Sequence, residues 1–139
     1  MREIIFRGKR IDNGEWVNGM PFISKNCCKM IFAMALHPDF VEDGNVYYSE
    51  GYPVDLETVG QYTGLTDKNG NRIFEGDIIK RFWLGAEITY CVQYDGENTR
   101  FIGKAMNKRG FTTFDNDGEM FEIIGNIYDT PDLLEVHND

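Results

Sequence analysis

The sequence contains few of the residues on which redox, nucleophilic and metal chemistry depends. Its 139 residues include three cysteines, Cys27, Cys28 and Cys91, an odd number without CxxC spacing. Its two histidines, His37 and His137, lie far apart with no neighbouring residues at ligand spacing. These patterns argue against a disulfide framework and against a zinc site. For the vicinal cysteine pair, burial as small hydrophobic residues is favoured over redox activity.

Serine is equally scarce, and no phosphate-binding loop is present. Ser24 and Ser49 are the only serines, and neither lies in a nucleophile-elbow context. Neither GxGxxG nor GxxxxGK[ST] occurs in the chain. The acids Glu75 and Asp77 flank a glycine, where capping of a turn is favoured over acid–base catalysis. The sequence therefore predicts a chain that is not an enzyme and uses no cofactor or metal.

Long apolar runs are also missing. The longest, residues 30–36, is far shorter than a membrane span, and the apolar stretch in the opening MREIIFRGKR is too short for a secretory signal. We expect no membrane association and a cytoplasmic location with reduced thiols.

Positive charge is limited and confined to part of the chain. The net charge is −9 and the pI is near 4.7, which disfavours nucleic acid as a partner. A basic block is formed by Arg100, Lys104, Lys108 and Arg109, whereas no lysine or arginine follows residue 109. Such segregation favours solvated faces that attract one another within the fold or across a homo-oligomer.

Asp115 and Asp117 are expected in a turn, with a calcium site as a weak alternative.

What the chain does have is turn chemistry between short apolar and aromatic runs. Residues 12–14, Asp-Asn-Gly, predict a hairpin between strands at residues 3–7 and 16–17. Asn69-Gly70 predicts a type I′ turn between strands at residues 61–65 and 72–74. Residues 27–36 fit a strand or a short helix, and a strand is preferred because His37-Pro38 follows.

The intervening segments are less regular. Residues 37–52 are predicted to be loop with a short strand at residues 46–48. Asp55 occupies an N-cap position, which predicts a single helical or 3₁₀ turn over residues 56–59. Thr130-Pro131-Asp132 predicts the start of a short terminal helix.

Short strands at regular spacing follow residue 61, and Gly125 within the last of them predicts a bulge or a bend. The predicted fold is mainly β. An N-terminal hairpin or sheet, residues 1–57, packs on a small, strongly bent SH3-like barrel in the C-terminal half, residues 58–139. We expect the two parts to form a single domain.

Three stretches carry a family resemblance: REIIFRGKRIDNGEWVNG, VDLETVGQYTGLTDKNGNRIFEGDII and EIIGNIYDTPDLL. Together they resemble the YopX family of phage and prophage proteins, in the same order and nearly end to end, except over residues 24–52. The resemblance implies a small cytoplasmic protein of a phage or an integrated prophage, with a mainly β, barrel-like fold. It implies no catalytic residue. Most matching positions are turn formers, and the exceptions, Gln61, Tyr62 and Thr63, are candidate partner contacts.

Three classes of function are compatible with these observations. The first choice is a non-enzymatic interaction module that binds a host or phage protein, with DNA mimicry by the acidic C-terminal surface as a variant. The second is a nucleic-acid-associated factor that uses the basic block, with Arg100 and Lys104 on one strand face and Phe101 in the core. The third, an enzyme, requires Glu75 or Asp77 in a cleft with a strongly shifted pKa.

Overall fold

The structure is a computed structural model that describes residues 3–23, 31–36, 41–42, 45–46, 49–106, 110–115 and 117–135. These residues form twelve β-strands and one short helix. The elements are β1 Phe6–Arg10, β2 Trp16–Ile23, β3 Ile31–Leu36, β4 Val41–Glu42, β5 Asn45–Val46, β6 Ser49–Thr66, β7 Arg72–Phe74, β8 Asp77–Trp83, β9 Ala86–Asp95, β10 Arg100–Ala105, β11 Phe111–Thr113, β12 Glu122–Asn126 and α1 Asp132–Glu135. The prediction of a mainly β fold is confirmed.

The chain divides into two compact units, Glu3–Gln61 and Tyr62–Asp139, and the boundary falls within β6. In the first unit, β2 pairs with both β1 and β3, and β6 likewise pairs with both β1 and β3. All four pairings are antiparallel. A separate antiparallel ladder joins β4 and β5. Val54 is the buried centre of this unit, and Val17 and Val59 pack against it.

The predicted first hairpin is present in this unit. Its turn is closed by hydrogen bonds from Arg10 N to Glu15 O (2.8 Å) and from Gly14 N to Arg10 O (3.0 Å). Asn13 contributes its side chain, which accepts a hydrogen bond from Glu15 N at 2.9 Å. These local bonds explain why the Asp-Asn-Gly signal located the turn, although β1 begins at Phe6 rather than at residue 3.

The predicted helical turn after Asp55 is wrong, because β6 continues through it. Asp55 does use its side chain as a cap, accepting a hydrogen bond from Glu57 N at 3.1 Å. Its carbonyl accepts a bond from the Thr58 hydroxyl (2.6 Å), which in turn accepts one from Lys9 N (2.9 Å) on β1. The same capping chemistry therefore produces an irregular step in a strand, and the register between β1 and β6 shifts beside Lys9.

Two further predictions concern the segment before β6. The preference for a strand over residues 31–36 is confirmed by β3, while residues 27–30 lie outside the described residues. The predicted loop over residues 37–52 is wrong at its end, because β6 already begins at Ser49. Of the short strand expected at residues 46–48, Val46 belongs to β5, and residues 47 and 48 lie outside the described residues.

In the second unit, the end of β6 pairs with β7, and a five-stranded antiparallel sheet has the order β11-β10-β9-β8-β12. In the described chain, β11 and β12 are its edge strands, so this sheet is open. The predicted SH3-like barrel is not confirmed. The bulge or bend predicted at Gly125 agrees with the structure, because the register between β12 and β8 shifts between Ile123 and Gly125.

One apolar cluster forms the core of the second unit. Its buried members come from β7 to β10 and from the segments that follow β11 and precede β12: Ile73, Ile79, Tyr90, Val92, Ala105, Phe114 and Phe121. Phe121 has no exposed surface, and its ring makes edge-on contacts with Tyr90 and Phe114 at centroid distances of 6.1 and 5.3 Å. Aromatic rings thus fill the space that short strands alone would leave open.

The central hairpin is present, but its turn is not type I′. A type I′ turn requires a positive φ at both central residues. Gly70 has a φ of 83°, whereas the φ of Asn69 is not positive. Gly70 N donates to Asp67 O at 3.0 Å, which closes a four-residue turn whose last residue is the left-handed glycine. The Asn-Gly signal therefore placed the hairpin correctly while the neighbouring Asp67 determined its geometry.

The predicted terminal helix is present as the four residues of α1. The backbone carbonyl of Thr130 accepts a hydrogen bond from Leu133 N at 3.1 Å. The Thr130 hydroxyl instead bonds to Asn126, donating to its carbonyl at 2.6 Å and accepting from its N–H at 2.9 Å. Thr130 thus fastens the start of the helix to the end of β12.

Candidate interaction surfaces

The second unit contains an open pocket of about 450 Å³ that brings together three separate parts of the chain. Its walls are residues 63–65 of β6, the start of β10 and the segment from the end of β11 to residue 115. We call it the Arg100 pocket. It is lined by Thr63, Gly64, Leu65, Arg100, Phe101, Thr113, Phe114 and Asp115. Two of the residues predicted as contacts, Thr63 and Arg100, are thereby on the same pocket.

Arg100 is the cationic group of this pocket. It lies directly opposite Asp95 on β9, with Nε 3.5 Å from Asp95 Oδ2, and its guanidinium lies 5.4 Å from the centroid of the Phe111 ring. Its side chain is 41% exposed. The Asn98 amide donates to Asp95 (2.9 Å) and is the main cause of the lowered pKa of that carboxyl, with Arg100 acting in the same direction. A carboxylate and a ring thus hold the guanidinium, and neither Asp95 nor Phe111 lines the pocket.

The apolar residues of the pocket lining belong to the core of the second unit or pack against it. Phe114 belongs to the buried cluster, and Leu65 and Phe101 pack against it. Phe101 also contacts Tyr94 edge-on, with ring centroids 5.3 Å apart. The prediction that Phe101 points toward the core is confirmed. The lining of the Arg100 pocket therefore includes apolar residues that are joined to the core as well as Arg100.

Asp115 supplies an acid on another wall. Its backbone is left-handed, with φ of 48°, and its Oδ1 accepts a hydrogen bond from the Thr113 hydroxyl at 3.1 Å. Left-handed backbone at a residue other than glycine is found preferentially at turns and functional sites. The Arg100 pocket is therefore amphoteric, with a cation and an anion on separate walls.

The other predicted contacts have different environments. Gln61 is partly buried in the first unit, where it pairs with Phe6. Tyr62 is only 8% exposed, and its ring packs against Phe74 at 5.6 Å. The Thr63 hydroxyl donates to Ile73 O at 2.8 Å and accepts from Leu65 N at 3.2 Å, so it serves the fold.

The basic block is described only in part. Arg100 and Lys104 are both exposed and, being four residues apart on β10, point to the same side of the sheet. Lys104 lies between Cys91 on β9 and Phe111 on β11. Lys108 and Arg109 lie outside the described residues.

A second candidate surface is the tip of the β8–β9 hairpin, which the sequence reasoning missed. Burial decreases along β8, from its fully buried start to Phe82 and Trp83, which are 71% and 50% exposed. Leu84 follows in the turn and is 90% exposed with a φ of 51°. Consecutive large apolar residues directly before Gly85 were the available signal, but they were read only as strand. We call Phe82, Trp83 and Leu84 the apolar tip.

Arg81 supports the apolar tip from its own strand. Its guanidinium lies 4.9 Å from the Trp83 ring centroid and 5.7 and 5.4 Å from those of Tyr90 and Phe121. Tyr90 and Phe121 belong to the core cluster, so Arg81 connects Trp83 to a rigid base. Cation–π contacts of this kind restrict the orientation of the indole ring.

Asp77, one of the two acids considered for catalysis, has a structural role. Asp77 is buried, and its Oδ2 accepts a hydrogen bond from Phe74 N at 2.8 Å, which agrees with the expected capping role. Within the described ranges, no group of three or more metal-binding side chains is found. His37, His137, Cys27 and Cys28 lie outside those ranges, and Cys91 is a free, buried cysteine.

Comparison with protein families gives a match to the model of the YopX protein family over residues 5–135. The chain belongs to the YopX family. The match extends across both units and covers the second and third stretches that carried the resemblance, and the first from residue 5 onward. No curated protein matches this YopX-family chain.

Among solved structures, the fold is similar to the crystal structure of protein EF1440 from Enterococcus faecalis. The similarity covers 96% of this chain and 99% of EF1440, at 23% sequence identity and a TM-score of 0.50. At this identity the similarity concerns the fold alone. Among the described residues, no helix has the length and apolar character needed to cross a membrane.

Proposed function

We propose that this YopX-family chain is a non-enzymatic interaction module whose apolar tip binds a protein partner. The observation that carries the proposal is the exposure of Phe82, Trp83 and Leu84 as one continuous apolar end of a hairpin. Scattered apolar residues are common on protein surfaces, whereas adjoining ones that protrude together are typical of interaction sites. Tryptophan and arginine are also the residues most enriched among those that dominate binding energy.

The energetics favour a partner with an apolar cavity. Burying a large apolar side chain contributes roughly 1.5–3 kcal/mol, so three such residues supply a substantial part of a specific affinity. Because Arg81 already holds Trp83 at 4.9 Å, less conformational freedom is lost when the tip docks. Phe82 and Trp83 point to opposite faces of β8, so the partner must enclose the tip rather than cover one side.

The family context supports the choice of partner and location. A protein of the bacterial host or of a phage, met in the cytoplasm, is the partner expected for a protein of phage or prophage origin. The lack of a nucleophile, cofactor or metal motif in the sequence supports a role without catalysis. A second copy of the chain is the alternative occupant of the apolar tip, and the experiment below distinguishes it.

The test is affinity capture from bacterial lysate treated with nuclease, read by mass spectrometry. The bait is the full chain or the double variant Phe82→Ser/Trp83→Ser, and the matched control is Met120→Ser, which alters a 50% exposed apolar residue elsewhere. We expect one protein captured by the wild type and the control and lost from the double variant. Equal capture by all three baits contradicts the proposal. Light scattering of the purified chain identifies self-association.

A nucleic-acid-associated role is the second candidate, favoured by the exposure of Arg100 and Lys104 on one side of β10. The contact between Arg100 and Asp95 and the net charge of −9 weaken it. Reversal of Lys104 and Lys108 to Glu provides the test. A nucleic-acid binder loses affinity and shows a smaller salt dependence, whereas unchanged binding rejects this role.

A further inference from the structure

We propose that the protein partner pairs one of its own carboxylates with Arg81 when Trp83 of the apolar tip is buried. The partner's binding segment is therefore one in which a single Asp or Glu adjoins apolar residues. This inference rests on the proposed function and adds the chemistry that the partner must offer. It can fail while the binding role of the apolar tip stands.

Arg81 is a cation without a counter-ion in the described part of the chain. Four other cations, Arg10, Lys68, Lys80 and Arg100, each pair with an aspartate or a glutamate. Among the described residues no carboxylate pairs with Arg81, and its Nε is buried without a hydrogen-bond partner. A charged donor that is removed from water and left unbonded costs free energy, which an incoming carboxylate offsets.

The terminal nitrogens of Arg81 are the donors that an outside group reaches. Nε alone among the Arg81 nitrogens is buried without a partner, so Nη1 and Nη2 are left for the carboxylate. These two atoms present parallel N–H donors in one plane, which match the two oxygens of a carboxylate. Lysine has no such fork, so the arrangement favours arginine at this position.

The guanidinium lies on the same face of β8 as the exposed indole. Arg81 and Trp83 are two residues apart on the strand, and the guanidinium is 4.9 Å from the indole centroid. Tyr90 and Phe121, at 5.7 and 5.4 Å, hold it from the side of the core. Because Trp83 is 50% exposed, a segment that covers the indole also comes within reach of the guanidinium.

The surrounding rings make this cation an effective contact. Phe121 has no exposed surface, so the guanidinium beside it lies at the boundary of an apolar region. In such surroundings the attraction between unlike charges is stronger than in water. The rings also fix the guanidinium before binding, which reduces the freedom lost on docking. Arg81 thereby adds orientation and specificity to the apolar contact of Trp83.

The charge of the chain limits how acidic the partner segment is. A net charge of −9 repels a run of acids, whereas one carboxylate against one unpaired guanidinium is compatible with it. The same balance disfavours a phosphate backbone and a second copy of the chain. Phe82 and Leu84, exposed beside Trp83, also require apolar contacts, which a protein segment supplies.

The test selects binders of the immobilised full chain from a display library of random linear peptides. Linear peptides suffice, because Arg81 and Trp83 share one face of β8. Only peptides that fail to bind Phe82→Ser/Trp83→Ser are kept. We expect these to share one Asp or Glu beside apolar residues. In calorimetry, a matched peptide with Gln for Glu or Asn for Asp should bind the wild-type chain about tenfold or more weakly.

A double-mutant cycle separates pairing from mere support of Trp83. Arg81→Gln should weaken the acidic peptide, and the amide change in the peptide should then cost less than about twofold. If Arg81 only supports Trp83, the substitution weakens both peptides equally. Lys80→Gln removes an equal charge from the opposite face of the same strand and should change binding by less than about twofold. Circular dichroism verifies that each variant is folded, and the peptide change alone leaves the chain unaltered.

The proposal is overturned if no tip-dependent peptide carries an acid, if the amide-matched peptide binds the wild type equally, or if Arg81→Gln weakens both peptides equally. Tip-dependent binding of single-stranded oligo(dT) without peptide binding, or self-association that Arg81→Gln abolishes, overturns it in favour of another occupant. Lysate capture that is lost on altering the apolar tip, with no acidic peptide selected, rejects this inference alone. Lysate capture that survives the double substitution rejects the proposed function instead.

Discussion

Asp67 is the single side chain that fastens most of the central hairpin. It is 2% exposed, and its Oδ1 accepts hydrogen bonds from Asn69 N and Asn71 N at 2.9 Å each. Its Oδ2 accepts a third bond from Ile123 N at 3.1 Å, which joins the turn to β12. Burial raises the pKa of this carboxyl, but the bonds from Ile123, Asn71 and Asn69 outweigh burial, and the pKa is lowered.

The lowered pKa makes the stability of the chain depend on pH in a defined direction. The ionised form is favoured in the folded state, so its contribution is complete above the ordinary pKa of about 3.8 and is lost as the pH falls through the lower folded value. We predict that Asp67→Asn lowers the free energy of unfolding by about 2 kcal/mol at pH 7. The NH₂ group of asparagine cannot accept a hydrogen bond, so at least one backbone N–H loses its acceptor. Urea unfolding at several pH values measures this.

A matched variant isolates the buried carboxyl. Asp117→Asn alters an exposed acid that accepts only the local bond from Glu119 N at 2.9 Å, and it should change stability by much less than Asp67→Asn. The difference in stability between wild type and Asp67→Asn should shrink below about pH 4. A difference that stays constant down to strong acid would contradict the assigned role of the charge.

Leu84 combines an unfavourable backbone with an exposed apolar side chain. Its φ of 51° costs an ordinary residue roughly 1–2 kcal/mol, whereas asparagine tolerates this region better. We predict that Leu84→Asn raises the free energy of unfolding by up to about 1 kcal/mol and weakens capture of the partner. Urea unfolding and the affinity capture measure the two effects.

The control for this substitution is Phe82→Asn, at an exposed residue outside the left-handed region. It should weaken partner capture without stabilising the chain. If Leu84→Asn destabilises the chain, the turn is not strained at Leu84. If it leaves capture unchanged, Leu84 is not part of the binding surface.

Among the elements, the loop before β12 depends on close approach of two backbones. A side chain on Gly118 would overlap the carbonyl oxygen of Thr66 and would come within 3.1 Å of Leu65 Cβ. We predict that Gly118→Ala lowers the free energy of unfolding by about 2–3 kcal/mol, because the backbone of β6 must move. Thermal and urea unfolding measure this loss.

Gly96 offers the matched control at element scale. Nothing lies within 4 Å of a side chain added there, and its φ is not positive. Gly96→Ala should therefore leave stability unchanged or slightly increased, by up to about 1 kcal/mol. Equal effects of the two substitutions would show that contact with Thr66 is not the cause.

At the scale of the whole molecule, the acidic balance determines solubility. The net charge of −9 at pH 7 keeps copies apart, and this repulsion vanishes near the pI of about 4.7. We predict a solubility minimum near that pH, measured by turbidity at low salt. Circular dichroism should still show the folded chain there, since the lowered pKa of Asp67 keeps its carboxyl ionised. Unfolding at the same pH would contradict the prediction that the chain loses solubility while it remains folded.

The candidate surfaces were predictable only in part. Arg100 and the core orientation of Phe101 followed from alternation along a strand. Tyr62 and Thr63 were expected as contacts, yet Tyr62 is buried and the Thr63 hydroxyl bonds to Ile73. A polar residue on a strand serves equally well for internal bonds or for a partner, and only its surroundings decide which.

The sequence by itself determined the β class, the positions of the hairpins and the bulge at Gly125, because turns depend on backbone preferences and on bonds between near neighbours. The tertiary structure alone decided that β6 continues past Asp55, because β1 pairs with β6 on both sides of the local cap, at Val54 and Asp55 and again at Gly60 and Gln61. It also decided which apolar residues remain outside the core. The exposure of Phe82 and the residues that line the Arg100 pocket depend on parts of the chain that are distant in sequence, which local patterns do not encode.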